Sequence, residues 1–153
     1  MELLIKNAKL VDEAAELAAD VLVRDGKIAA IGRGLDCTGE VIDAGGLTLL
    51  PSFVDLHCHF RDPGFTQKED IETGCRAAAK GGYTAVNLMA NTNPVCSDME
   101  TVHYVRQKAE SIGLVDVHQC VSVTEGFDGR TVEHLKKLDS TVKLISEDGK
   151  GVM

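Results

Sequence analysis

The chain has 153 residues, of which 44% are hydrophobic and 26% charged, an ordinary globular composition long enough to bury a core. Its formal net charge of -8 argues against non-specific nucleic-acid binding, which needs lysine and arginine to displace counterions, but a local arginine can still attract an anionic substrate. No apolar run approaches the ~18 residues of a membrane span, and the opening Met1-Glu2-Leu3-Leu4-Ile5-Lys6 is too short an apolar stretch for a signal peptide.

Residues 1–50 read as short strands and tight turns. Val21 and Val23 precede Asp25-Gly26, and Lys27, Ala29 and Ile31 follow it, a hairpin signal because glycine tolerates positive φ. Val41 to Ala44 is another short strand, stopped by Gly45-Gly46. Glu13 to Ala19 offers at most a turn of helix. The expected architecture is a small β-sandwich-like segment.

After Pro51 the rhythm changes to alternating strand and helix. Phe53 to His57 is an apolar run of strand length. Ile71, Cys75, Ala78 and Ala79 recur at helical spacing, closed by Gly81-Gly82. Thr84 to Leu88 is a second strand. Ser97, with Glu100 three residues on, reads as a capping box opening a helix. Val102, Val105, Ala109 and Ile112 form that helix's buried stripe, and Gly113 ends it. Val115 to Val123 is a third strand, Val132, Leu135 and Leu138 mark a third helix, and Val142 to Ile145 a fourth strand. Such alternation implies a parallel sheet with right-handed crossovers. Residues 51–153 therefore read as four β/α units, either a small doubly wound sheet or half of a (β/α)8 barrel, since a full barrel takes roughly 250 residues.

The chemistry concentrates at the end of the first of these strands. Side chains on a strand alternate faces, so His57 and His59 point the same way. The C-terminal strand edge is where parallel α/β folds bind ligands, and two neutral imidazoles there can share one metal ion. Asp55 has the same parity and is placed to orient a ligand. An arginine and a Pro-Gly turn follow at once, as in a binding loop. The flanking residues on the strand are apolar, so a polar pair there needs a reason.

The run Pro51-Ser52-Phe53-Val54-Asp55-Leu56-His57-Cys58-His59-Phe60-Arg61-Asp62-Pro63-Gly64 resembles the signature of the amidohydrolase superfamily, and within it the dihydroorotases. Met89-Ala90-Asn91-Thr92-Asn93-Pro94, Glu72-Thr73-Gly74 with Gly81-Gly82-Tyr83-Thr84, and Ser146-Glu147-Asp148-Gly149 match the same family in order along the chain. Ser52, Asp62 and Ala90 depart mildly from its usual glycine, glutamate and proline. The resemblance implies an α/β fold, the N-terminal half of a TIM-type (β/α)8 barrel after the β segment. It implies Zn2+, one or two ions per complete site, with His57, His59 and Asp148 as ligands. It implies Arg61 and Asn91 as the groups that hold the substrate carboxylate. Each assignment has its own chemical sense: an arginine fork gives a carboxylate two parallel charge-assisted bonds, and an asparagine amide can donate beside it.

The activity implied is reversible interconversion of N-carbamoyl-L-aspartate and L-dihydroorotate by a zinc-dependent hydrolase of pyrimidine biosynthesis. The family draws two further histidine ligands and a catalytic aspartate from later strands, so no general base is assigned within residues 1–153. The chain reads as an N-terminal portion, expected to be inactive alone and prone to associate through open strand edges. Expected partners are this small-molecule substrate, a second copy of the chain and another pyrimidine-pathway enzyme, with no nucleic acid or membrane. A hydantoinase or allantoinase relative is the neighbouring reading, because those enzymes share the His-x-His strand. A non-catalytic dihydroorotase-like assembly or metal-binding module is the third.

Other residues get plainer readings. Five cysteines without a CxxC pair suit reduced thiols in a cytoplasmic protein, and Cys58, opposite His57 in parity, should pack between strand and helix. His118 reads as a core or rim residue, and His103 and His134 as solvated helix positions. Lys143 does not match the place of the bridging carbamylated lysine found in some relatives.

Overall fold

In the computed structural model, which describes residues 1–153, the chain divides into two compact units, Met1–Pro51 and Ser52–Met153. The first is one five-stranded sheet. β1 (Glu2–Val11), β2 (Glu16–Arg24) and β3 (Lys27–Gly32) form an antiparallel meander, and β4 (Glu40–Asp43) and β5 (Thr48–Leu49) lie parallel to β1. Asp25 and Gly26 turn β2 into β3 with φ of 47° and 74°, the pair of positive values a two-residue hairpin favours. Glu16 to Ala19 is strand rather than a turn of helix, paired with Ala8 to Val11; a single turn cannot repay its nucleation cost, whereas the edge of β1 supplies a full ladder.

The second unit holds a parallel sheet in the order β6 (Phe53–Cys58), β7 (Tyr83–Leu88), β8 (Asp116–Gln119), with α1 (Ile71–Lys80) and α2 (Met99–Ile112) as crossovers. Asp70 caps α1 by accepting the Thr73 N–H at 2.9 Å, and the Thr73 hydroxyl accepts from the Asp70 amide, a reciprocal box. Ile71, Gly74 and Cys75 are its buried face, whereas Ala79 is exposed. α2 starts one residue later than its sequence suggests. Asp98 accepts the Thr101 N–H at 2.8 Å, while Ser97 is spent on Ser122 Oγ at 2.8 Å and the Gly126 N–H at 2.9 Å. The predicted stripe of α2 is buried at Val102, Val105 and Ala109, with Ile112 partly so. Phe60, Ile71, Cys75, Val86, Leu88, Val105, Ala109 and Val117 make one core cluster, against which Cys58 packs. No helix is long and apolar enough to cross a membrane.

Beyond β8 the elements are shorter than the sequence suggests. The third helix is a 3-10 turn, Glu133–Lys137. Val132, Leu135 and Leu138 recur every three residues, the period of a 3-10 helix rather than of an α-helix. The fourth strand reduces to one parallel bridge, Val121 to Ile145, with the Ser146 N–H donating to Val121 O at 3.0 Å. Asp139 draws residues 139–142 into a turn instead, accepting the Thr141 N–H at 2.8 Å. Phe53, Val54 and Leu56 on edge strand β6 are 49%, 59% and 64% exposed, so the dry surroundings expected for His57 are not formed by its own strand.

The loop after β6 is clamped to α2. Asp62, 1% exposed, accepts the Lys108 ammonium at 2.6 Å and the Tyr104 hydroxyl at 3.0 Å, and its carboxylate beside Lys108 raises the lysine pKa. The Lys108 side chain is 40% exposed, so it can re-solvate if its partner is lost, whereas Asp62 cannot. Lys108→Met should therefore cost more stability, ~2 kcal/mol, than Asp62→Asn, ~1 kcal/mol, both discounted for solvent screening. Urea unfolding midpoints check the order, and the reverse order would reject the clamp.

Candidate metal centre

Three loops at the C-terminal edge of the parallel sheet bring the site together. β6 ends at Cys58, and its alternation leaves His57 and His59 side by side, ring centroids 5.2 Å apart with planes inclined at 73°. Asp148 arrives from the turn after the Val121–Ile145 bridge. Its N–H donates to Ser146 Oγ at 3.0 Å, and its φ of 49° is left-handed, a conformation Asp tolerates better than most residues. Arg61 also sits in that region, with φ of 60°, at a cost of order 1–3 kcal/mol typical of constrained functional loops.

Asp148 Oδ1 lies 3.3 Å from His57 Nε2 and 4.0 Å from His59 Nε2. One donor atom from each of the three residues falls within 4.8 Å of the others. The side chains are graded from open to closed: His57 is 59% exposed, His59 28% and Asp148 15%. Two imidazole nitrogens and one carboxylate oxygen, reachable from solvent on one side, are a donor set suited to zinc.

Asn91 stands between two of these groups. Its Oδ1 is 3.0 Å from His59 Nδ1, and its Nδ2 donates to Asp148 Oδ2. Asp55 is not aimed at an imidazole; it accepts the His57 backbone N–H at 2.9 Å and so stiffens the strand end. Arg61 is half-buried, and the carboxylate next to it in sequence, Asp62, is committed to Lys108 and Tyr104.

The remaining candidates stay apart from this group. His134 is buried, not solvated: its Nε2 meets Ser122 O at 2.9 Å, because the 3-10 turn faces inward. His103 is half-exposed, 3.9 Å from Asp139. His118 is partly buried on β8 with Nδ1 unpaired. Lys143 is exposed and donates to Ser140 O. Burial pushes the Cys58 thiol up to about 12, so the residue between the two histidines offers no thiolate.

Sequence reasoning missed the support under Asp148. Glu147 is 8% exposed and accepts both the Thr124 N–H, at 2.9 Å, and the Thr124 hydroxyl. The signal was available: Ser146-Glu147-Asp148 sets three polar residues directly after an apolar run, and only one of them faces the histidines.

The parallel β/α sheet thus brings a His-x-His strand end together with an aspartate from the turn after the fourth β segment. The profile of the family described as dihydro-orotase-like matches residues 46–152, and the chain belongs to that family. It is 50% identical over 155 residues to a dihydroorotase of Clostridium botulinum, covering 99% of this chain and 39% of that relative. It is 46% identical over 154 residues to a dihydroorotase of Mycobacterium tuberculosis, covering 97% and 35%. Among solved structures, an L-hydantoinase (dihydropyrimidinase) from Arthrobacter aurescens matches with a TM-score of 0.74 at 23% identity, over 94% of this chain and 35% of that one, a likeness of fold. A D-hydantoinase from Thermus sp. matches with a TM-score of 0.68 at 29% identity, over 88% and 30%. The chain thus spans 35–39% of the length of these curated relatives.

The Arg61 and Asn91 loops touch through Gly64. The Asn93 N–H donates to Pro63 O at 3.0 Å, and a Cβ on Gly64, where φ is 96°, would strike the Asn93 backbone. Gly64→Ala should lower stability by ~1–3 kcal/mol and shift the Asn91 side-chain amide resonances. A thermal melt and an amide spectrum indistinguishable from wild type would reject this contact.

Proposed function

We propose that the protein acts as a dihydroorotase-type zinc-dependent cyclic amidohydrolase, interconverting N-carbamoyl-L-aspartate and L-dihydroorotate in pyrimidine biosynthesis. The observation that carries this reading is the convergence of His57, His59 and Asp148 donor atoms within 4.8 Å. The dihydroorotases to which the chain is similar support the choice of substrate.

His57 and His59 would hold zinc through neutral nitrogens and Asp148 through its carboxylate. A zinc ion held there supplies Lewis acidity toward the amide carbonyl and toward water. Arg61 would grip the substrate carboxylate with its planar fork, fixing the ring so that one amide carbonyl faces the two imidazoles. Asn91 would offer an N–H beside it. Asp55 would keep the strand end still by holding the His57 amide, which it accepts at 2.9 Å.

A hydantoinase reading is favoured by one observation, the match to hydantoinase folds. The two substrates differ at Arg61: dihydroorotate carries a carboxylate and hydantoin does not. In ring-opening assays on the product of the complete gene, Arg61→Gln should lower kcat/KM for dihydroorotate about tenfold to a hundredfold, the loss of a charge-assisted bond pair. It should leave turnover of hydantoin, if there is any, almost unchanged. Wild-type activity on hydantoin but not on dihydroorotate would reject the proposal in favour of the alternative. Substituting His57 or Asp148 with Ala should weaken Co2+ binding at least tenfold in equilibrium titrations.

A further inference from the structure

We propose that the Asn91 side-chain amide is a positioning residue that fixes the tautomer of His59 and the orientation of Asp148 together. The purpose of this device rests on the metal reading of His57, His59 and Asp148; its geometry does not.

An amide has a polar sense, one end accepting and the other donating, whereas an ionised carboxylate only accepts. The Asn91 end that meets Asp148 must therefore be the NH2, as it is in the structure, where Nδ2 donates to Asp148 Oδ2. The opposite end is then the carbonyl, and it lies 3.0 Å from His59 Nδ1. A carbonyl oxygen can only accept, so His59 Nδ1 carries the ring proton. A neutral imidazole has one such proton, which leaves the lone pair on Nε2. That Nε2 is the nitrogen 4.0 Å from Asp148 Oδ1, the oxygen that also lies 3.3 Å from His57 Nε2. The acceptor-only character of Asp148 is thus relayed through one amide into the tautomer of a histidine three β segments away. The same relay occupies Oδ2 and leaves Oδ1 turned toward both rings.

The relay is held firmly at its centre. The Cys96 N–H donates to Ala90 O at 3.0 Å, the Asn93 N–H to Pro63 O at 3.0 Å, and the Thr92 hydroxyl to Pro94 O at 2.7 Å. Asn91 is partly buried between His59 and Asp148, where solvent competes weakly for its bonds. A group that orients a ligand in this way typically changes metal affinity 10–100-fold when removed. It follows too that Asn91 has one N–H, not two, left for a substrate.

The test uses the chain itself, first free of metal. Long-range proton–nitrogen NMR, at a pH about two units above the ordinary histidine pKa of ~6.5, should find His59 in the Nδ1–H form. Asn91→Ala should release His59 to a tautomer mixture and weaken Co2+ binding about 10–100-fold. Wild-type His59 in the Nε2–H form would overturn the inference, as would Asn91→Ala with an unchanged His59 tautomer. If the wild type takes up no Co2+, the metal reading fails, while the tautomer measurement on the wild type still decides the role of Asn91.

Discussion

The site depends on a constraint of strand geometry. Residues two apart on a strand share a face, and β6 ends just where that rule sets His57 and His59 side by side, ring centroids 5.2 Å apart. Neither ring has a carboxylate on its own strand to complete the site, since Asp55 is used on the His57 backbone. The third group must come from the far end of the unit. The parallel order β6-β7-β8 and the single bridge from Val121 to Ile145 carry the chain back to the same edge, so Asp148 reaches both imidazoles.

Around that edge the loops are fixed by polar contacts more than by packing. Asp62 ties the Arg61 loop to α2 through Lys108 and Tyr104, and Glu147 ties the Asp148 turn to Thr124. Ser97 links the start of α2 to Ser122. A buried carboxylate with directional partners sets a loop in one geometry because its alternatives leave a charge unpaired. The apolar face of β6, by contrast, is left open at Val54 and Leu56. Order at the C-terminal edge of the sheet and exposure along the strand coexist because hydrogen bonds hold the loops locally, while apolar burial of an edge strand needs a neighbour on its free side.

The chain belongs to the dihydro-orotase-like family and shares its fold with solved hydantoinases. On the proposed function, Arg61 in its left-handed loop would be the residue whose charge separates a carboxylate-bearing ring from an uncharged one.

The amino-acid sequence alone determined most local elements and singled out the candidate site groups that the fold brings together. The Asp25-Gly26 hairpin, the stripe Val102, Val105 and Ala109, and the shared parity of His57 and His59 follow from rules that span a few residues, and His57, His59 and Asp148 were all legible through motif and resemblance. What the tertiary structure decided depends on partners distant in the chain. It made His134 a buried residue, reduced residues 142–145 to one bridge, moved the cap of α2 from Ser97 to Asp98, and turned Asn91 toward His59 and Asp148. The physical reason is the same in each case. Ser97, His134, Asn91 and, ahead of residues 142–145, Asp139 are polar groups with several possible hydrogen-bond partners, and their neighbours in sequence do not fix which one folding brings within 3 Å.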